Sequence, residues 1–337
     1  MIAVLLRRLA ELLLVLLALS VLVFLLTSLA PGDPAEEILR RGGGQPTAAA
    51  VAALRAELGL DEPLSSRYLR WVLDVLGGDL GRSYVDRSPV AGEIAARLPA
   101  TLLLAVTAAA VSAGLALLVA LPAVVRPRAL DSRILALVTV AAGGVPPYIV
   151  GIVLISVVAV GWRLLPTGGP DSVVLPALTL GLTGAATLLR LLRADLARAL
   201  RRPFVRLAAA KGLRRRRTVV VHALRVAAPN AVTAMSLVVA ELLAGAVVVE
   251  TLFAWPGVGQ LAVAAIRQRD VPVVQAYVLV VAVATVLLLA VTELCLSALD
   301  PRLRGGGTMT GRVVGFMLVV AFCLVAPFSD RVRHLHA

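Results

Sequence analysis

Residues 193–228 read RADLARALRRPFVRLAAAKGLRRRRTVVVHALRVAA, and apolar runs at 173–192 and 229–252 flank them. Within this stretch Arg193, Arg198, Arg201, Arg202, Arg206, Lys211, Arg214, Arg215, Arg216, Arg217 and Arg225 face one acid, Asp195. Two runs of about 20 apolar residues are each long enough to cross a bilayer as a helix. A cluster of arginines between two such runs marks a loop held on the cytoplasmic side. The fold class follows from that alternation of apolar spans and charged loops.

The same alternation extends to both ends of the chain. Span 1 covers about 9–30 and ends at the helix-stopping cluster Pro31-Gly32-Asp33-Pro34. A polar stretch at 31–98 follows, slightly richer in acids than in bases, and is read as external. Its segments Thr47–Leu60 and Ser65–Leu76 have the periodicity of short amphipathic helices. Span 2 covers 99–121, and Arg126, Arg128 and Arg133 place the next loop inside. Span 3 covers 134–160 and is broken by Gly143-Gly144-Val145-Pro146-Pro147. Span 4 covers 173–192 and span 5 covers 229–252. An external re-entrant-like segment at 253–274 leads into span 6, at 275–297, and Asp300-Pro301-Arg302-Leu303-Arg304 forms a basic inner end. The reading is an all-α membrane protein with six core transmembrane helices and a cytoplasmic N-terminus. Backbone groups in lipid must pair within their own segment, and the alternating pattern of a membrane barrel is absent.

Composition agrees. Of 337 residues 60% are hydrophobic, more than a soluble core of this size requires. The net charge of +13 would suggest nucleic acid in a soluble protein, but the basic residues sit in short loops and aromatics are only 4%. Membrane orientation accounts for the charge, and nucleic acid is not expected as a partner. Cys295 and Cys323 lie inside apolar runs and read as packing residues, so neither a disulfide nor a metal site is expected. The run after Arg7 and Arg8 is too long for a signal peptide and lacks a small-residue cleavage site, so it is read as a retained span.

Within the basic loop, Arg206-Leu207-Ala208-Ala209-Ala210-Lys211-Gly212-Leu213 precedes His222-Ala223-Leu224-Arg225 and Pro229-Asn230. This resembles the EAA loop of ABC importer permeases, with Arg206 where the general pattern has an acid, as the peptide/nickel subfamily commonly does. Four further segments resemble that subfamily in the correct order: Leu29–Pro34; Leu58–Leu64 with Gly78–Ser83; Arg97–Leu102; and Glu250–Gly259 with Arg269–Pro272. They cover about residues 1–304. The resemblance implies a permease subunit of a type I ABC importer of the oligopeptide/dipeptide/nickel type, in the cytoplasmic membrane. Its implied partners are a second permease subunit, two ABC ATPase subunits, an external substrate-binding protein and the lipid bilayer. Its implied domains are 1–98 (first span and external domain), 99–304 (permease domain) and 305–337 (linker and apolar tail).

The same resemblance makes Phe204, Arg206, Leu207, Ala208, Ala209, Ala210, Lys211, Gly212 and Leu213 the ATPase-coupling element. Alanines give a compact helix and a glycine allows the turn that closes it. Pathway or gate candidates are Pro146, Pro147, Glu241, Glu250 and Glu293, because ionisable residues and Gly/Pro breaks within spans are costly in lipid. A satisfied structural acid, or for Glu250 a cap, is the competing reading. No catalytic residue or cofactor is expected: the chain has no phosphate-binding loop around Lys211, no G-x-S-x-G, and only His222, His334 and His336 as histidines. Peptides are the first substrate reading, with nickel or a metal chelate the second. An ion-coupled secondary transporter and a membrane assembly protein are the rival classes. After the tri-glycine at 305–307, Val313–Pro327 stands either as an extra C-terminal hydrophobic helix or as a surface tail. Its sequence resembles the amino-terminal span of a partner permease, as an overlapping reading frame would give.

Overall fold

The computed structural model describes residues 2–29, 33–41, 46–125, 144–170 and 172–299. The cluster at Pro31-Gly32, the first half of expected span 3 and everything from Asp300 onward, including the apolar tail, lie outside the described residues. The described chain is helical, and its one extended feature is an isolated bridge between Arg82 and Pro89. In order the helices are α1 (Ile2–Ser28), α2 (Pro34–Arg41), α3 (Ala48–Glu57), α4 (Leu64–Leu76), α5 (Val90–Val125) and α6 (Pro147–Leu154), which continues as a π-helical segment, Ile155–Gly161. Then come α7 (Val174–Leu200), α8 (Pro203–Ala210), α9 (Arg215–Leu252, with a π-helical segment at Thr218–Ala223), α10 (Val258–Arg267) and α11 (Val271–Leu299).

Among the described residues, four stretches are long and apolar enough to cross a membrane: Val90–Val125, Val174–Leu200, Arg215–Leu252 and Val271–Thr292. Leu13–Ser28 and Pro147–Gly161 are shorter apolar helices at the places expected for spans 1 and 3. Exposed side chains such as Leu118 (72%) and Val106 (67%) on α5 leave an apolar surface that water would not tolerate and lipid would.

Three boundaries differ from expectation. Span 2 begins at Val90 with Pro99 inside the helix, and span 5 begins at Arg215 with Pro229 inside it. The basic segment 193–228 is therefore mostly helix, and only 201–214 separates α7 from α9. An internal proline removes one backbone bond, which neighbouring groups in a bundle can replace. The prolines at 146 and 147 open α6, Pro147 at its first position, and do not bend a continuous helix.

The chain divides into two compact units. One comprises the described residues of 98–260 together with 287–299, and its core is built on α7. Leu175, Leu180, Leu188, Leu189, Leu192 and Leu196 of α7 are all buried. Its packing with α9 is close because Gly184 has no side chain: a methyl there would meet Val238 and Leu242 of α9 and Ser112 of α5. Ser112 donates its hydroxyl to Gly181 O across the α5–α7 contact at 3.0 Å. Small residues with interhelical hydroxyl bonds are the usual means of packing helices where lipid supplies no hydrophobic drive.

The other unit comprises the described residues of 2–97 together with 261–286. Leu19 and Val23 of α1 pack with Val278 and Ala282 of α11, and Gln275 donates to Thr27 Oγ1 at 2.8 Å. The amphipathic α4 lays Tyr68 and Trp71 on Phe24 of α1, and the Tyr68 hydroxyl pairs with Ser20 at 2.8 Å. Helix α3 is capped by Thr47, whose hydroxyl accepts from Ala50 N, and Gly59, at φ +64°, ends it. The apolar faces of α3 and α4 were legible from their periodicity; α2 was not.

Candidate functional site: a tethered surface helix and a buried carboxylate

Helix α8 occupies the gap between α7 and α9. Pro203 starts it, Val205 anchors it in the core at 1% exposed, and Phe204 and Leu207 point away from that core at 54% and 55% exposed. Residues 204, 207, 208 and 211 fall on one face by helical spacing. Arg206, Ala210, Lys211 and Gly212 are exposed, and Ala208 and Leu213 are half-buried. Ala209 lies within the helix, its side chain outside the described residues. The helix ends as a glycine-closed turn: Lys211 N donates to Leu207 O at 2.9 Å, and Gly212 adopts φ +84°. No heavy atom lies within 4 Å of where a Cβ on Gly212 would stand, so its backbone angle, not space, calls for glycine there.

The surroundings of α8 are basic. Arg201, Arg202, Arg214, Arg215, Arg216 and Arg217 are exposed, and Arg215 donates to Val124 O at the end of α5. Asp195 of α7 is buried, accepts from Asn230 Nδ2 at 3.3 Å and pairs with Arg198. The lone acid of the basic stretch thus ties the base of α7 to α9.

Glu250 lies at the far end of α9 and is fully buried. Its carboxylate accepts from Thr101 Oγ1 at 2.7 Å and from Gln260 N at 3.0 Å. Thr101 Oγ1 in turn accepts from Val258 N at 2.8 Å. Two of the first three amides of α10, those of Val258 and Gln260, therefore find side-chain acceptors supplied by α5 and α9. A carboxylate at a helix N-terminus is also favoured by the helix dipole. Gly257 and Gly259 press their backbones on this carboxylate, and a methyl on Gly257 would overlap it. Trp255 Nε1 donates to Ala100 O at 3.0 Å, closing the same knot. Thr101, Gly257 and Gly259 were quoted in the sequence as parts of motifs, but their convergence on Glu250 is a tertiary fact.

The remaining candidates are dispersed. Pro147 approaches Gly245 of α9, and Pro146 precedes α6 and is exposed. Glu241, in the middle of α9, is exposed, and the charge that acts on it is Arg190 of α7. Glu293 lies within α11, its side chain outside the described residues. In the sequence Asp270 stands only as part of the Arg269–Pro272 segment. It is 3% exposed and accepts from Ser83 Oγ at 2.5 Å and Tyr84 N at 3.0 Å, fastening the 79–90 segment to the start of α11.

Comparison with known proteins places the chain. Residues 112–305 match the family described as binding-protein-dependent transport system inner membrane component, and residues 1–105 match the N-terminal domain described for the same membrane components. A glutathione transport system permease protein GsiC of Salmonella paratyphi A is 39% identical over 304 residues, covering 89% of this chain and 98% of that protein. The GsiC protein of Escherichia coli O6:H1 is 36% identical over 301 residues, covering 88% and 97%. This decides against the secondary-transporter and assembly-protein alternatives. The chain belongs to the family of inner-membrane permease components of binding-protein-dependent ABC importers.

Proposed function

We propose that this permease forms half of a translocation pathway for short peptides, and that α8 is the element through which separate ATPase subunits drive it. The observation that carries the coupling reading is α8 itself: Phe204 and Leu207 are exposed, while Val205 fixes the same helix to the core. A rigid element with an apolar outer face can dock in a groove and transmit a displacement as a body. The ATPases close on ATP, the docked helices move, and the cavity between two permease subunits alternates its access. An external binding protein delivers the substrate. The arginines around α8 support a cytoplasmic position for this segment and, four spans earlier in the chain, for the N-terminus.

Peptides are favoured over nickel as cargo because the relatives named above are named for transport of glutathione, a peptide. The test is reconstitution of the permease pair with its ATPases and binding protein in proteoliposomes. Phe204→Asp and Leu207→Asp should insert and pair with the second permease but lose ATPase binding and ATP-driven peptide uptake. Full uptake in both variants would overturn the coupling assignment. Uptake of nickel without peptide would overturn the cargo.

A further inference from the structure

Two opposite charges stand exposed within membrane-spanning helices. Arg190 lies on α7 and Glu241 on α9, and both are open at the surface of the subunit. Arg190 acts on Glu241 through space, and no hydrogen bond to Glu241 accompanies that interaction. A charge at bilayer depth is expensive against lipid, so such residues face a polar cavity or another subunit. Their companions on the same faces are mildly polar. Thr183 and Thr187 are half-buried and precede Arg190 by seven and three residues, one helical stripe. Of the other acids of this unit whose side chains are described, Asp195 holds Arg198 and Asn230, and Glu250 caps α10.

The packing gives the spacing of the pair. Gly184 of α7 lies against Val238 and Leu242 of α9, which bracket Glu241. The acid is therefore level with Gly184. Arg190 is six residues farther along α7, about 9 Å at 1.5 Å per residue. An extended chain of two or three residues spans about 7–11 Å. Its free ends carry the complementary charges.

We propose that Arg190 and Glu241 read the two ends of a zwitterionic di- or tripeptide in the pathway, the guanidinium taking the carboxylate and the Glu241 carboxylate taking the ammonium. The proposal rests on the peptide-import reading above and narrows it to short peptides with both termini free. Arginine suits the first task because its planar fork matches a carboxylate bidentately. The pair stays apart because the helices hold the two groups at different levels, and this leaves each free for substrate.

The test uses the reconstituted importer with one binding protein throughout, so that protein's own preference cancels when the ratios of variant and wild type are compared. Uptake of trialanine, trialanine amide and N-acetyl-trialanine is measured for the wild type, Arg190→Gln and Glu241→Gln. Arg190→Gln should lower the acid-to-amide ratio by about tenfold and leave the ratio of free to acetylated peptide unchanged. Glu241→Gln should do the reverse. Arg190→Lys and Glu241→Asp should recover part of each ratio, which a purely structural role would not produce. Ratios unchanged in both variants, with ATP-driven trialanine uptake intact, would overturn the proposal and leave the import reading standing. Loss of assembly with the second permease would show that the charges pair across subunits, and would also overturn it. No ATP-driven trialanine uptake by the wild type would overturn the import reading itself.

Discussion

Glu250 offers the sharpest test of how the permease holds its shape. Its carboxylate accepts two hydrogen bonds at zero exposure, from the Thr101 hydroxyl and the Gln260 amide. Glu250→Gln keeps the volume but leaves one accepting oxygen where there were two, and the new NH₂ faces a donor. A stranded buried group costs about 1–3 kcal/mol, so the variant should lose about that much. Thr101→Val strands two groups, the Val258 amide and one carboxylate oxygen, and should cost roughly twice as much. The two residues share partners, so the double variant should cost less than the sum, with a coupling of about 0.5–3 kcal/mol. The assay is reversible unfolding of the purified subunit in mixed micelles, read by Trp fluorescence. A Glu250→Gln protein within about 0.5 kcal/mol of the wild type, or strict additivity of the pair, would refute the capping argument. Gly257→Ala supplies an independent check, because its methyl meets a carboxylate that cannot withdraw. Overpacking of that kind costs about 1–3 kcal/mol.

Gly212→Val should reduce ATP-driven uptake several-fold with membrane insertion intact, since φ +84° costs an L-residue about 1–2 kcal/mol and more if it is β-branched. Gly212→Asn, which tolerates that angle, should transport nearly normally, and equal uptake in the two variants would count against the strained-turn account. Asp270→Ala should free the 79–90 segment, seen as faster proteolysis there with α11 intact, because the Ser83 and Tyr84 donors lose their acceptor. Burial pushes the Tyr84 phenol above its ordinary value of about 10, so the stability it contributes is present below that pH and lost as pH rises through the folded value. Alkaline unfolding should then begin earlier in Tyr84→Phe only if the hydroxyl stabilises the fold; delayed alkaline unfolding is the expected result. Deleting residues 306–337 should leave assembly and uptake nearly unchanged, and failure to pair with the second permease would make the tail an integral helix.

The spans were legible because the bilayer imposes a composition on them. Twenty apolar residues bounded by arginines leave few alternatives, and α7 and α9 lie where hydropathy puts them. Their boundaries were less legible, for a physical reason. Pro99 and Pro229 signal an end in water, whereas in a packed membrane bundle the helices run through them. The 204–213 segment was readable as a helix from its alanines and closing glycine, and Gly212 has the positive φ that such an ending requires. Which side of α8 faces outward was not readable, because that depends on Val205 finding the core. Glu250 and Glu241 look equivalent in the sequence, each a lone acid in one apolar run. Structure separates them by what arrives from elsewhere: Thr101, Gly257, Gly259 and Gln260 close around Glu250, whereas among the described residues Glu241 stays exposed. A buried acid with both oxygens bonded has its interactions complete and can only hold the fold. An exposed acid in a span, with an arginine one helix away, still has its charge to satisfy, and within a transport machine the group that can satisfy it in passing is the substrate.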